Sequence, residues 1–287
     1  KIIRCWLPYP RQDQARQQDV KFISASEPQY TFSSPECRHS TLYMEKRAVE
    51  GEPTVFSETF EFTANGEWHN LKPEDVQPYD TTTALYKEYT AEREKHIVFS
   101  PRLRELAAKL TAGETNPYLK TKRIFRWVND NFPWASAREY STIENIPEYV
   151  LDNRHGDCGQ VSLLFITLCR ISGIPAHFQS GFMMHPRAWN LHDWAEVYFE
   201  GVGWVPADQS FGIPAFARNA DEEYFFLGGI DSWRMIVNTD YGMPLQPEKQ
   251  YPRSETVDFQ RGEVEWEGGN LYFPQWDYHM DIDYLNY

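Results

Sequence analysis

The period of the apolar positions changes near residue 100. Before it, Ile2 to Leu7, Val20 to Ala25, Thr41 to Val49 and Thr54 to Thr63 are short runs rich in β-branched and aromatic residues, which predicts strands. Asn65-Gly66 predicts a two-residue hairpin turn at the end of the last run. After Pro101 the spacing becomes helical, with Leu103, Leu106, Ala107 and Leu110 along one stripe. Asn116-Pro117 pairs a cap with proline at the first helical position and opens a second helix carrying Thr121, Ile124, Phe125 and Val128 before Pro133. A third, short helix is expected from Pro147 with Tyr149, Val150 and Leu151.

The stretch from Cys158 to Arg170 is apolar on nearly every side and meets stop signals at Gly173 and Pro175, as for a helix buried within a domain. Strands return at His177 to Met184, Leu191 to Phe199 and Trp204 to Ala207, the last two joined through Gly201-Val202-Gly203. Helices followed by an antiparallel sheet make an α+β fold. The expected division is a β-rich N-terminal domain at 1–95, a core at 96–235, and an extension at 236–287 that packs on the core. That extension is dense in aromatics, among them Trp266, Tyr272, Phe273, Trp276, Tyr278, Tyr284 and Tyr287.

Composition narrows the partners. The net charge of −14 opposes attraction to phosphate backbones and anionic lipid, so nucleic acid is not expected as a partner. No run approaches the uninterrupted apolar length of a membrane-spanning helix. Four cysteines outside any CxxC pair support neither a disulfide framework nor a structural zinc site, although Cys5 and Cys37 are a pair to consider for a single bridge. The chain opens at Lys1 on what reads as a strand, so a preceding segment with a secretion signal is expected.

Chemistry concentrates at Gly156-Asp157-Cys158-Gly159-Gln160. A thiol at a helix start meets unpaired backbone N–H groups, which favour the thiolate and predict ionisation below the ordinary value of about 8.5. The same N–H groups suit an oxyanion. Cys169, about three turns on and with Leu168 and Ile171 beside it, reads instead as core. A base must come from elsewhere, and His192 opens the strand His-Asp-Trp-Ala-Glu-Val-Tyr. The turn at 201–203 folds that strand against Trp204 to Asp208, bringing Asp208 within reach of the imidazole. Each residue alone has an ordinary reading: a buried thiol, a surface histidine, a turn aspartate. Their order along helix start, strand and next strand sets them apart.

With these residues the chain resembles the transglutaminase-like superfamily over about 101–215. The likeness is carried by Arg154-His-Gly-Asp-Cys-Gly-Gln, Leu168-Cys-Arg-Ile-Ser-Gly-Ile-Pro-Ala, His192-Asp-Trp-Ala-Glu-Val-Tyr and Gly203-Trp-Val-Pro-Ala-Asp. The resemblance implies a papain-like core with Cys158 as nucleophile, His192 as base and acid, and Asp208 as the orienting member. It also implies a bacterial secreted type, placed in the periplasm, at the cell surface or outside the cell. Family members that use a tryptophan at the oxyanion make Trp134 a candidate donor, with Tyr140 near it in sequence. The implied chemistry is hydrolysis or acyl transfer at amides of protein or peptide, through a thioester and without a cofactor. Two rival classes are a protein-glutamine cross-linker and a non-catalytic peptide- or carbohydrate-binding module built on the late aromatics. A metal hydrolase using His185, His192, Asp193 and Asp208 lacks any HExxH-like spacing.

Overall fold

A computed structural model describes residues 1–136 and 138–285, so Tyr287 of the aromatic tail lies outside it. In chain order the first strands are β1 (Ile2–Pro8), β2 (Gln17–Ala25), β3 (Tyr30–Phe32), β4 (Thr41–Arg47), β5 (Glu58–Ala64) and β6 (Glu67–Trp68). Helices follow: α1 (Ala84–Tyr89), α2 (Pro101–Leu110), α3 (Pro117–Asn131), α4 (Ile146–Asn153) and α5 (Cys158–Ile171). Then come β7 (Ala176–His185), β8 (Ala188–Phe199), β9 (Gly203–Ala207), α6 (Ala220–Glu223), β10 (Gly229–Ile230), β11 (Arg234–Thr239), β12 (Glu263–Trp266) and β13 (Gly269–Leu271). The α+β class follows from this order, with a β-rich beginning ahead of the helical core.

Contacts group the chain into two compact units, each made of separated stretches. One holds residues 1–65, 180–191 and everything from Trp233 onward; the other holds 66–179 and 192–232. This differs from the linear division expected from composition, and strand pairing is the reason. In the first unit β1 lies between β4 and β12, with Trp6 opposite Tyr43 on one side and Glu263 on the other. The late segment therefore completes the sheet that the first strand begins. Trp6, Phe182, Met235, Val237, Leu245 and Phe259 form one buried cluster there, and the Trp6 indole donates to the Pro247 carbonyl at 2.7 Å. Tyr9, Leu42 and Met44 form a second cluster.

The expected hairpin at Asn65-Gly66 does not form. β5 pairs with β2, whereas β6 pairs with β10, so the dipeptide separates two sheets. Neither residue adopts the positive φ that a type I′ turn requires. Cys5 and Cys37 are free thiols, as are Cys158 and Cys169, so the bridge considered for the first two is absent.

The second unit is organised around α5. Leu163, Leu164, Phe165, Ile166, Leu168 and Cys169 are fully buried, in keeping with the all-round apolar pattern and the core reading of Cys169. Each large apolar side chain buried this way contributes about 1.5–3 kcal/mol. Helices α2, α3 and α4 all pack against α5. Side-chain caps fix where they begin. Ser100 accepts from Leu103 N, Asn116 from Leu119 N, and Asn145 from Glu148 N. Strands β8 and β9 pair antiparallel with Ala195 opposite Ala207. Among the described residues no helix is long and apolar enough to cross a membrane.

Candidate active site

Cys158 is the first residue of α5 and remains partly accessible. Asp157 caps the helix: its side chain accepts from Gln160 N at 3.1 Å. Gly159 is required by crowding. A Cβ at that position would lie 2.5 Å from the Tyr140 hydroxyl and 2.7 Å from Asp193 Oδ2.

His192 and Asp208 come together as the hairpin register implies. Ala195 opposite Ala207 sets Asp208 beside the His192 end of β8, and His192 Nε2 lies 2.8 Å from Asp208 Oδ2. Both residues are buried, at 4% and 0% exposure. The other carboxylate oxygen, Oδ1, accepts from Ser210 N at 3.1 Å and Phe211 N at 3.0 Å. A carboxylate held by two backbone donors has only acceptor capacity toward the ring, so Nε2–H donates and Nδ1 is the basic nitrogen of the neutral imidazole. Phe211 and Trp194 flank that ring at 5.3 and 5.8 Å between centroids.

The thiol reaches the same strand one residue on. Cys158 Sγ–H donates to Asp193 Oδ2 at 3.4 Å, and Asp193 is 2% exposed. Successive strand residues point to opposite faces. Asp193 of β8 thus meets the start of α5 through the thiol, and His192 alternates with it along the strand. Behind Asp193 stands Tyr140, in a short helical turn at Tyr140–Thr142. Its hydroxyl lies 2.6 Å from Asp157 Oδ1 and 3.2 Å from Asp193 Oδ2.

These neighbours act against the low thiol pKa expected at a helix start. Burial raises the Cys158 thiol well above its ordinary value, and the Asp193 and Asp157 carboxylates push it further the same way. Desolvation and two nearby negative charges outweigh the helix start. Burial likewise raises Asp157, against the lowering effect of its bonds from Tyr140 and backbone N–H groups.

Trp134 lies beside the nucleophile segment. It forms a parallel bridge with Gly156, Ala135 N donates to the Gly156 carbonyl at 3.1 Å, and the indole is 58% exposed. Trp134, Gly156, Val161, Gln209 and Ser210 line a small cavity of about 170 Å³. The Gln209 amide is buried there, with neither its nitrogen nor its oxygen hydrogen-bonded among the described residues. Among the described residues no group of three or more His, Cys, Asp or Glu is arranged to hold a metal ion.

Residues 104–209 match the family model of the transglutaminase-like superfamily, an interval containing Cys158, His192 and Asp208. YebA of Bacillus subtilis (strain 168) is 27% identical over 140 residues, covering 42% of this chain and 19% of that protein. The chain thus spans about a fifth of that relative's length. Among solved structures, a candidate cysteine protease from Cytophaga hutchinsonii superposes with a TM-score of 0.57 at 18% identity, covering 83% of this chain and 76% of that one. This is a likeness of fold. The periplasmic domain of TgpA from Pseudomonas aeruginosa matches at a TM-score of 0.40 and 16% identity, covering 74% of this chain and 70% of that one.

Proposed function

From the transglutaminase-like core at 104–209 we propose a thiol-dependent enzyme that cleaves amide bonds of proteins or peptides, with Cys158 as nucleophile. The observation carrying this reading is a partly accessible cysteine at the start of a buried helix, tied through Asp193 to the strand residue next to a buried His192–Asp208 pair.

In the proposed cycle His192 Nδ1 takes the Cys158 proton as sulfur adds to the amide carbonyl carbon, forming the C–S bond. The α5 N–H groups and Trp134 favour the developing oxyanion. Collapse breaks the C–N bond, and the imidazolium returns its proton to the departing amine. Asp208 keeps the ring oriented and balances its charge while it holds that proton. The thioester is then released by water, with His192 again accepting a proton. Release by a primary amine would make the enzyme a cross-linker, and hydrolysis is the outcome proposed. Action outside the cytoplasm belongs to the same proposal and is checked by cell fractionation.

The test is incubation with a glutamine-bearing protein, with and without a fluorescent primary amine, followed by mass spectrometry. Backbone cleavage or ammonia release is expected without the amine, and Cys158→Ala and His192→Ala should each lower turnover by about a thousandfold or more. Turnover that survives Cys158→Ala would remove the thioester from consideration. Covalent incorporation of the amine as the dominant product would replace hydrolysis with transfer.

A further inference from the structure

The small cavity at the nucleophile segment carries a polar group that the cycle above does not use. Its lining, which includes Asn129, Phe132, Trp134, Gly156 and Gln209, holds no charged residue, and it measures about 170 Å³. We propose that this cavity is a subsite for an uncharged amide group of the substrate beside the scissile bond, and that Gln209 is the residue that selects it. This rests on the proposed reaction, because the segments that carry Cys158 and Asp208 bound the cavity. Gly156 and Val161 lie on either side of Cys158 in sequence, and Gln209 follows Asp208 directly.

The unpaired amide carries the inference. Gln209 is 5% exposed, and its Nε2 and Oε1 are both buried without a hydrogen-bond partner among the described residues. An amide in that condition has lost water at both atoms and regained no bond at either. Buried polar groups are nearly always paired, so an unpaired one bordering a cavity points to a partner from outside the chain. Gln160 provides the contrast. Its amide is equally unpaired, but it is 0% exposed and takes no part in the lining. Of the two, only Gln209 borders space that a ligand can enter.

The chemistry of the ligand follows from the donor and the acceptor. Nε2–H donates to a carbonyl oxygen, and Oε1 accepts from an N–H. An amide supplies both, either as a side-chain carboxamide or as the N–H and C=O of one extended residue, which point the same way. A carboxylate or an ammonium supplies one of the two, and a lining without charge does nothing to offset its desolvation. Size agrees: at ~30 Å³ for each water-sized group the cavity holds about five, the heavy atoms of propionamide. The lining is also set in advance. Asp208 Oδ1 accepts from Ser210 N and Phe211 N, and Gly212 N donates to the Asp208 carbonyl at 2.9 Å, which fixes the backbone around Gln209. A preformed site loses less ordering entropy when it is filled.

The experiment reads binding and not turnover. The full chain, labelled with nitrogen-15, is titrated with propionamide, with N-acetylglycine methylamide, and with methyl propanoate, which lacks the N–H. The side-chain NH₂ resonance of Gln209, identified by its absence from Gln209→Met, is followed by NMR. Saturable movement with propionamide assigns the subsite to a side-chain carboxamide, and with N-acetylglycine methylamide to the peptide main chain; either upholds the proposal. In Gln209→Met, half-saturation of the Trp134 indole N–H shift should require about tenfold more of the same amide, for the loss of two neutral hydrogen bonds. Equal movement with methyl propanoate, or no saturable movement with any of the three, would overturn the proposal. Gln209→Met should also unfold at the same urea concentration as wild type or a higher one, because it removes an unpaired buried amide. A loss of stability, up to failure to fold, would mean that Gln209 is bonded within the chain and would overturn the proposal equally. Amide binding in a protein inactive on every amide substrate would keep the subsite and remove the reaction. Turnover through Cys158 without such binding would do the reverse.

Discussion

At the residue scale, a proton on Nε2 of His192 depends on Asp208 being an acceptor. Asparagine at 208 would keep one carbonyl oxygen for Ser210 N and Phe211 N and turn its NH₂ toward the ring. The imidazole would then place its proton on Nδ1, where it cannot serve as base. Asp208→Asn is expected to lower kcat by about 10²- to 10⁴-fold, with KM less affected, in steady-state assays of whatever amide substrate the first screen identifies. Of the residues in this site, Cys158, His192 and Asp208 are legible in the sequence as candidates from their order along a helix start, a strand and the end of the next strand, although β8 begins at Ala188, ahead of His192. Asp193 is not. Its identity is plain, but knowing that it meets the Cys158 thiol requires the three-dimensional register. The carboxylates around the thiol are missed for the same reason, since a helix start can be read from spacing while the density of charge around it cannot. Tyr140 stands in the right neighbourhood of the chain, but its pairing with Asp157 and Asp193 depends on a turn without a sequence signature.

At the scale of elements, the helices from α2 to α5 and the strands β7 to β9 follow their patterns closely because their caps, periods and stops are local. The short strands β3, β12 and β13 escape because they have three or four residues each, too few to show a period, and β12 is fixed by its distant partner β1. Asn65-Gly66 fails as a hairpin for a related reason: strand pairing chosen elsewhere overrides a local turn preference. Close approach between β7 and β11 is another constraint that spacing does not reveal. A Cβ at Gly181 would lie 1.9 Å from the Met235 carbonyl oxygen. That contact is with backbone and cannot be relieved by a rotamer change. Gly181→Ala is therefore expected to cost about 3 kcal/mol or more, measured by urea unfolding.

At the scale of the whole molecule, stability toward acid should carry a histidine signature. Burial of His96 lowers its pKa from 6.5 to about 4, and its Nδ1 accepts from Ile146 N at 3.3 Å, a role that only the neutral ring can fill. Between these two values the unfolded chain takes up a proton that the folded chain does not. Stability contributed by the neutral ring is intact above pH 6.5 and falls as pH drops toward 4. By about pH 5 the loss amounts to about 2 kcal/mol. Urea melts of wild type and His96→Gln at neutral and acid pH should show the variant losing less. Buried Glu58 and Glu255, both raised by desolvation, act in the opposite sense but equally in the two proteins.

The pairing of β1 with β12 bears on how the molecule is made. During synthesis the second unit has all its residues once residue 232 has emerged, because it consists of 66–179 and 192–232. The sheet of the other unit must wait. Strand β1 at Ile2–Pro8 is translated well before its partner β12 at Glu263–Trp266. Until residue 266 is released, one edge of β1 has its backbone groups unpaired, a state in which strands invite chaperones or aggregation. Ribosome-bound chains cut before residue 260 should thus resist protease across residues 66–179 and 192–232 and yield to it at β1 and the strands beside it.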